Sequence, residues 1–182
     1  MAEGIAITER AGVALASLIA RRGRLGELRE AVRARFAADL PLTPRVAEGD
    51  SAAFIWAGPE RWLVASPALP PDDLVASLRE SGTASVCDQS DGRVLLRVAD
   101  SRARDVLARG FPIDLHPSVF KVGDTAITIA AHVTCQIWRT DDVYDIAVPS
   151  SFAASFRRWL DGAAAAFGPP PTFALTSERL KG

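Results

Sequence analysis

The stretch Asp88–Val98 reads DQSDGRVLLRV, and Asp100–Gly110 continues as DSRARDVLARG. Turn-forming residues occupy Ser90–Gly92, and the apolar run after them predicts a strand, with a second strand over 84–87 on the other side of the turn. Asp100 is well suited to cap the N-terminus of the following helix, and Gly110 to end it. A turn, strands and a capped helix in so short a stretch are typical of an α+β domain.

Upstream, alternating and helical apolar spacings predict short strands or an extended arm, then a helix, a hairpin and another helix. These elements are predicted over 1–23, 25–40, 54–64 and 70–82, and Pro41 ends the first helix. Downstream, strands are predicted over 127–133, 136–138 and 144–148, and Ser150 or Ser151 caps a last helix. The core stripe of that helix is formed by Phe152, Phe156, Trp159, Leu160, Ala163 and Phe167.

This order of elements predicts an α+β fold with antiparallel or mixed sheets and helices packed on one face. The length of 182 residues fits one domain over 1–167, or two small intimate halves that meet near residues 83–92. Residues 168–182 form a Pro-rich C-terminal tail without periodicity. We expect this tail to be extended or disordered on its own and to serve as a docking arm.

The composition excludes several classes of function. With 21 basic and 22 acidic residues, the chain lacks the basic surplus of a nucleic-acid-binding protein. No segment reaches the ~18 uninterrupted apolar residues of a membrane helix. The first residues lack the charged and apolar regions of a secretory signal, so we expect a cytoplasmic protein. Cys87 and Cys135 are then expected to be reduced thiols in the core.

A search for catalytic chemistry yields no site. The chain has neither a Gly-x-Gly-x-x-Gly motif nor a Walker-type Gly-Lys-Ser/Thr, so no flavin, nicotinamide or nucleotide site is predicted. His132 and Cys135 stand three apart in a predicted strand, which sends their side chains to opposite faces and disfavours a metal site. No spacing supports a nucleophile pair of His116 with Cys87 or Cys135. We predict no catalytic, cofactor-binding or metal-binding residue.

Two aromatic segments are the candidates for binding, the hairpin Phe54–Val64 and the loop Phe111–Phe120. Trp56 and Trp62 lie on either side of a turn, where they form either a flat surface for a ring or a partner protein, or part of the core. His116, between Leu115 and Pro117, orders a loop through a hydrogen bond. A further basic stretch is interpreted as a solvated, partly ion-paired face and contains Arg93, Arg97, Arg102 and Arg104.

The segment Trp56–Val64 reads WAGPERWLV, and Phe111–Pro117 reads FPIDLHP, with Phe120 following. Together with Asp88–Val98 and Asp100–Gly110, these segments resemble the gamma subunit of heterotetrameric sarcosine oxidase. They are more distantly similar to the folate-binding domain of glycine-cleavage T-proteins, and the fold implied is that of the T-protein/TrmE-like folate-binding domain. The resemblance covers roughly residues 8–161.

The resemblance implies an accessory, non-catalytic subunit that packs against larger alpha, beta and delta subunits. It implies an assembly that oxidatively demethylates sarcosine to glycine, passes the one-carbon unit to tetrahydrofolate and forms hydrogen peroxide. FAD, FMN, NAD and tetrahydrofolate are then expected in the partner subunits. In T-protein relatives a carboxylate binds the pterin and basic groups bind the glutamate tail; Asp88 and Asp91 are candidates here, although turns use Asp as well.

Two other functions stay open. One is a stand-alone folate-binding aminomethyltransferase-like protein, and the other is a scaffold subunit of a related methylated-amine dehydrogenase. For the accessory subunit, the interface candidates are Trp56, Trp62, Phe111, His116 and Phe120.

Overall fold

The computed structural model describes residues 5–168 and the backbone of 174–177. In chain order the strands are β1 (Ala6–Ala11), β2 (Ala14–Ala20), β3 (Val46–Glu48), β4 (Ala53–Gly58), β5 (Arg61–Ser66), β6 (Ala84–Asp88), β7 (Arg93–Ala99), β8 (Thr125–Ala130), β9 (Val133–Thr140), β10 (Val143–Pro149) and β11 (Ala174–Ser177). The helices are α1 (Leu25–Phe36), α2 (Pro71–Arg79), α3 (Ala103–Leu107) and α4 (Ala153–Ala165).

These elements form two compact units. One contains Gly12–Asp91 and is called the N-terminal unit. The other combines the chain up to Ala11 with Gly92–Ser177 and is called the C-terminal unit. Each has its own sheet, so the α+β class predicted from the sequence is confirmed. The assignment of domain boundaries stays a prediction.

The N-terminal unit has a five-stranded antiparallel sheet in the order β3-β4-β5-β2-β6. Without the short edge strand β3, its chain order is the split β-α-β-β-α-β arrangement. Leu28, Val32 and Phe36 of α1 are buried, and their spacing forms one apolar stripe. This stripe belongs to the same core as Phe54 and Val64 of the sheet. The predicted amphipathic helix is therefore present.

The helix α1 ends earlier than its apolar spacing predicted. Its last helical residue is Phe36, and Ala37 adopts a left-handed conformation with φ of 54°. The Ala37 N–H still donates to Arg33 O at 3.0 Å, which closes the helix before Pro41. The left-handed residue Ala37 therefore ends the helix, and Pro41 lies four residues beyond that end.

The C-terminal unit has a six-stranded sheet in the order β11-β1-β7-β10-β9-β8. Its core joins Leu96 and Ile146 of the sheet to Phe156 and Leu160 of α4. Phe152, which was assigned to the core stripe, is 51% exposed. It falls in a short 3-10 turn before α4, where the helical spacing does not yet apply.

One predicted strand assignment needs correction. The strand predicted over 127–133 is divided, because β8 ends at Ala130 and β9 starts at Val133. Ala131 and His132 have φ of 49° and 65°, so they form a tight two-residue turn. The strands predicted on either side of Ser90–Gly92 are present as β6 and β7. β6 pairs with β2, whereas β7 pairs with β1 and β10.

The predicted tail is partly structured. Ala174–Ser177 forms β11, which pairs in parallel with β1 from Thr8 opposite Ala174 to Ala11 opposite Ser177. The sequence predicted an extended or disordered segment here and did not predict its pairing with β1. Alternation is hard to detect in so short a strand, and its pairing partner is at the other end of the chain. The predictions for 169–173 and 178–182 lie outside the described residues.

Candidate functional site

The aromatic hairpin of β4 and β5 places its two indoles directly opposite each other. Trp56 and Trp62 are cross-strand partners, and the chain reverses at Gly58–Glu60, where Glu60 has φ of 57°. Trp62 is 1% exposed, and its Nε1–H donates to Pro41 O at 2.8 Å. Trp56 is half-buried against the same core. Trp62 therefore belongs to the core, and Trp56 is the indole that reaches the surface.

The loop Phe111–Phe120 has buried aromatic ends and an exposed centre. The Phe111 ring lies 6.4 Å from the Phe156 ring, and the Phe120 ring stacks on Tyr144 at 6.4 Å. Between them, His116 is exposed and its Nδ1 lies 2.7 Å from Ser118 Oγ. Its backbone N–H donates to Asp114 Oδ1 at 2.8 Å, and its carbonyl accepts from Phe120 N–H at 2.8 Å. The hydrogen bonds of His116 therefore order the loop, and the imidazole ring stays exposed to solvent.

Arg139 closes the base of this loop and was missed in the sequence. Its Nη1–H donates to Phe120 O at 3.0 Å, and its Nε–H donates to Asp141 O at 2.9 Å. The guanidinium also lies 5.9 Å from the centre of the Tyr144 ring. No local signal distinguishes Arg139 from other strand arginines, because its partners are a distant carbonyl and a ring on the next strand.

A buried carboxylate with two arginine partners crosses three strands of the C-terminal unit. Asp145 on β10 is 1% exposed and stands opposite Arg97 on β7. Arg97 donates to both carboxylate oxygens, at 2.8 and 2.7 Å, and Arg10 on β1 donates to Oδ2 at 3.3 Å. Bidentate pairing of this kind compensates for the loss of hydration of a buried charge. This cluster was also missed, since strand register alone brings its members together.

The basic stretch Arg93–Arg104 does not form one binding patch. Arg97 donates to Asp145, and Arg102 donates to Asp100 Oδ1 at 3.1 Å. Arg104 lies 3.5 Å from Asp105 Oδ1. Desolvation by burial lowers the pKa of Arg93. The interpretation as a partly ion-paired face therefore agrees with the geometry, and these arginines do not converge on a single anion.

The two acidic candidates for a pterin both lie in the turn that follows β6 or at its start. Asp88 Oδ1 accepts the backbone N–H of Ser90 at 2.9 Å. Hydrogen bonds from Ser90 lower the pKa of the Asp88 carboxyl, as in an Asx turn. Ser90 Oγ in turn accepts the N–H of Leu15 at 3.0 Å. Asp91 is an exposed turn residue.

The histidines and cysteines are dispersed. His132 lies in the turn between β8 and β9, and Cys135 is 1% exposed in the core. Burial raises the pKa of the Cys135 thiol to about 11, so it is protonated at neutral pH. Cys87 is exposed, which corrects the expectation that both cysteines are core residues. Within residues 5–168, no three His, Cys, Asp or Glu side chains are grouped to hold a metal, and no helix is long and apolar enough to span a membrane.

This two-sheet α+β architecture is shared with an aminomethyltransferase. The glycine cleavage system aminomethyltransferase T from Bartonella henselae matches with a TM-score of 0.63 over 88% of this chain and 46% of that chain, at 15% identity. That likeness defines the class of fold. A chain of the heterotetrameric sarcosine oxidase from Corynebacterium sp. U-96 matches with a TM-score of 0.80 and 27% identity, over 92% of this chain and 87% of that chain.

Residues 27–166 match the model of the sarcosine oxidase, gamma subunit family, and the chain belongs to this family. It is 31% identical over 125 residues to the sarcosine oxidase subunit gamma of Corynebacterium sp. strain P-1, covering 67% of this chain and 61% of that protein. Identity to the gamma subunit of Corynebacterium sp. strain U-96 is 33% over 119 residues, which is 63% of this chain and 57% of that protein. The chain thus spans about three fifths of the length of these curated relatives.

Proposed function

We propose that this chain is the accessory gamma subunit of a heterotetrameric sarcosine oxidase and that it acts by contact with larger alpha, beta and delta subunits. The observation that carries the proposal is the match to a chain of the Corynebacterium sp. U-96 enzyme, which extends over 92% of this chain. Membership of the gamma subunit family supports the same assignment.

We further propose that this chain does not itself catalyse the reaction. Several candidate groups in the described residues already have a structural role. Asp145 is neutralised by Arg97, His116 hydrogen-bonds Ser118, Asp88 forms a turn, and Cys135 is held as a neutral thiol. A general base or a nucleophile needs an accessible group that is free to exchange a proton. These arrangements support a scaffolding role.

The assembly is proposed to demethylate sarcosine oxidatively to glycine, with transfer of the one-carbon unit to tetrahydrofolate and formation of hydrogen peroxide. FAD, FMN, NAD and tetrahydrofolate are assigned to the partner subunits. The sequence of this chain has no Gly-rich dinucleotide motif. The Ser90 hydrogen bonds that engage Asp88 also argue against a pterin site on that carboxylate.

The interface is proposed to involve the exposed parts of the two aromatic segments. Trp56 of the hairpin and His116 of the loop present side chains to the surface, and Val119 beside His116 is 57% exposed. Trp62, Phe111 and Phe120 are buried and would support these groups from below. A half-buried aromatic ring held by a buried partner is a suitable interface anchor, because little side-chain entropy is lost on binding.

Co-expression with the larger subunits tests the proposal. Affinity capture through the alpha subunit should recover this chain, and Trp56→Ala and His116→Ala should each reduce recovery about tenfold. Phe152→Ala is the matched control, since Phe152 is 51% exposed but lies outside both segments. Capture that never recovers the wild-type chain would contradict the proposed assembly, whereas flavin absorbance or peroxide formation by the chain alone would contradict its accessory role.

A further inference from the structure

The strand β8 is an open and unusually apolar edge of the C-terminal sheet. Within the described part of the chain, its register partners all lie on β9, from Thr125 opposite Trp138 to Ala130 opposite Val133. Ile127 is 50% exposed and Ile129 is 58% exposed. The strand reads TAITIA, so it has no charge and no proline, which are common protections of a free edge against pairing with another chain.

The tight turn after β8 determines which backbone groups face the open edge. Ala131 and His132 both have positive φ, as in a two-residue type I′ hairpin, whose flanking residues form a hydrogen-bonded pair. Because hydrogen-bonded and non-hydrogen-bonded pairs alternate, Ala130 and Thr128 direct their N–H and C=O groups toward β9. Ile127 and Ile129 therefore direct theirs outward.

The edge strand is also a palindrome. Ala126–Ala130 reads AITIA, with Thr128 at its centre. When two copies pair antiparallel about a two-fold axis at Thr128, Ile127 of one copy meets Ile129 of the other at both ends. These are the residues whose backbone groups face outward, so side-chain symmetry and backbone direction agree. Cross-strand pairs of β-branched residues are favourable, and a two-fold interface requires such self-complementarity.

We propose that β8 is a homotypic docking edge, through which a second copy of this chain extends the C-terminal sheet across a two-fold axis at Thr128. The contact is small, so we expect a weak dimer that forms at micromolar or higher concentration. The inference does not depend on the proposed sarcosine oxidase assembly.

Sedimentation equilibrium of the full chain tests the dimer. The wild type should show a concentration-dependent rise toward twice the monomer mass, and Ile127→Lys and Ile129→Lys should weaken association at least tenfold. Leu42→Lys is the matched control, because Leu42 is 54% exposed and lies outside this strand. Unchanged melting temperatures of the lysine variants would establish that they fold. A wild type that remains monomeric at all concentrations overturns the proposal.

Cysteine cross-linking tests the register, in a Cys87→Ser, Cys135→Ala background. Thr128 would face its own copy in a non-hydrogen-bonded pair with Cα atoms about 4.5 Å apart, a separation that a disulfide can span. Mild oxidation should therefore link Thr128→Cys into dimers and should link Ile127→Cys much less. Preferential linking of Ile127→Cys overturns the axis at Thr128. Loss of the larger subunits by Ile129→Lys, with a monomeric wild type, would instead assign the edge to a strand of those subunits.

Discussion

Trp62 distinguishes the two interpretations of the hairpin, as part of the core or as an interface. Its burial and its hydrogen bond to Pro41 O predict that Trp62→Ala destabilises the isolated chain by about 3–5 kcal/mol. The melting temperature should fall by roughly 10 °C in a thermal scan. Trp56→Ala is the control and should lower it less, because Trp56 is only half-buried. An unchanged melting temperature with lost capture by the alpha subunit would identify Trp62 as an interface anchor instead.

Asp145 carries a second prediction at this scale. Asp145→Asn removes the buried carboxylate charge that Arg97 and Arg10 contact, so we expect the free energy of unfolding in urea to fall by about 3 kcal/mol. Asp142→Asn is a matched control, because the Asp142 side chain is 96% exposed and lies 3.4 Å from Arg139; it should change stability by less than about 0.5 kcal/mol. Equal effects of the two substitutions would show that the buried cluster contributes no more than a surface pair.

The two thiols should differ in reactivity. Because burial raises the pKa of Cys135 from 9.0 to about 11, a thiol reagent at pH 8 should label one residue, the exposed Cys87. Labelling in guanidinium should reach both residues, and Cys87→Ser should remove the native reaction. As the pH rises from 9.0, the ordinary pKa of a thiol, toward 11, Cys135 loses its thiol proton in the unfolded chain before it does so in the folded chain. The contribution of Cys135 to the free energy of unfolding therefore decreases in that pH range. Rapid native labelling of both thiols would contradict the burial of Cys135.

At the scale of the elements, two glycines have opposite effects on the stability of α4: Gly110 leaves room for the packing of Trp159, whereas Gly162 lowers helix propensity. A Cβ at Gly110, beyond the end of α3, would lie 2.1 Å from Trp159 Cζ2, so Gly110→Ala must displace the indole from its packing on α4. We expect it to lower stability by about 1–3 kcal/mol in urea unfolding. Gly162 lies inside α4 with nothing within 4 Å of an added Cβ, so Gly162→Ala should raise stability by about 0.5–1 kcal/mol. Opposite signs would show that α4 is positioned differently.

At the scale of the whole molecule, the question is whether the isolated chain binds tetrahydrofolate. The acidic candidate Asp88 is engaged by Ser90, and Arg97, Arg102 and Arg104 have acidic partners. Calorimetric titration of the isolated chain with tetrahydrofolate should therefore give no saturable heat below about millimolar, or less than roughly 4 kcal/mol of binding. A micromolar site would favour the stand-alone folate-binding alternative, and Asp88→Asn would then show whether that carboxylate contributes.

The sequence by itself determined most elements and the fold class. The apolar stripe Leu28, Val32 and Phe36 and the alternating hairpin around Trp62 depend on spacing within one element, which local periodicity reports directly. The segments quoted for the family resemblance were likewise sufficient to identify the gamma subunit family.

Tertiary structure alone decided which strands pair and which polar groups meet. The separation of β6 from β7, the pairing of β11 with β1 and the meeting of Arg10, Arg97 and Asp145 all join residues distant in the chain. The turn at Ala131 and His132 escaped prediction because it contains none of the Asn-Gly, Asp-Gly or Gly-Gly pairs that usually signal a two-residue hairpin turn. The physical reason is that periodicity encodes the buried face of an element, whereas register and ion pairing are set by the packing of the elements against one another.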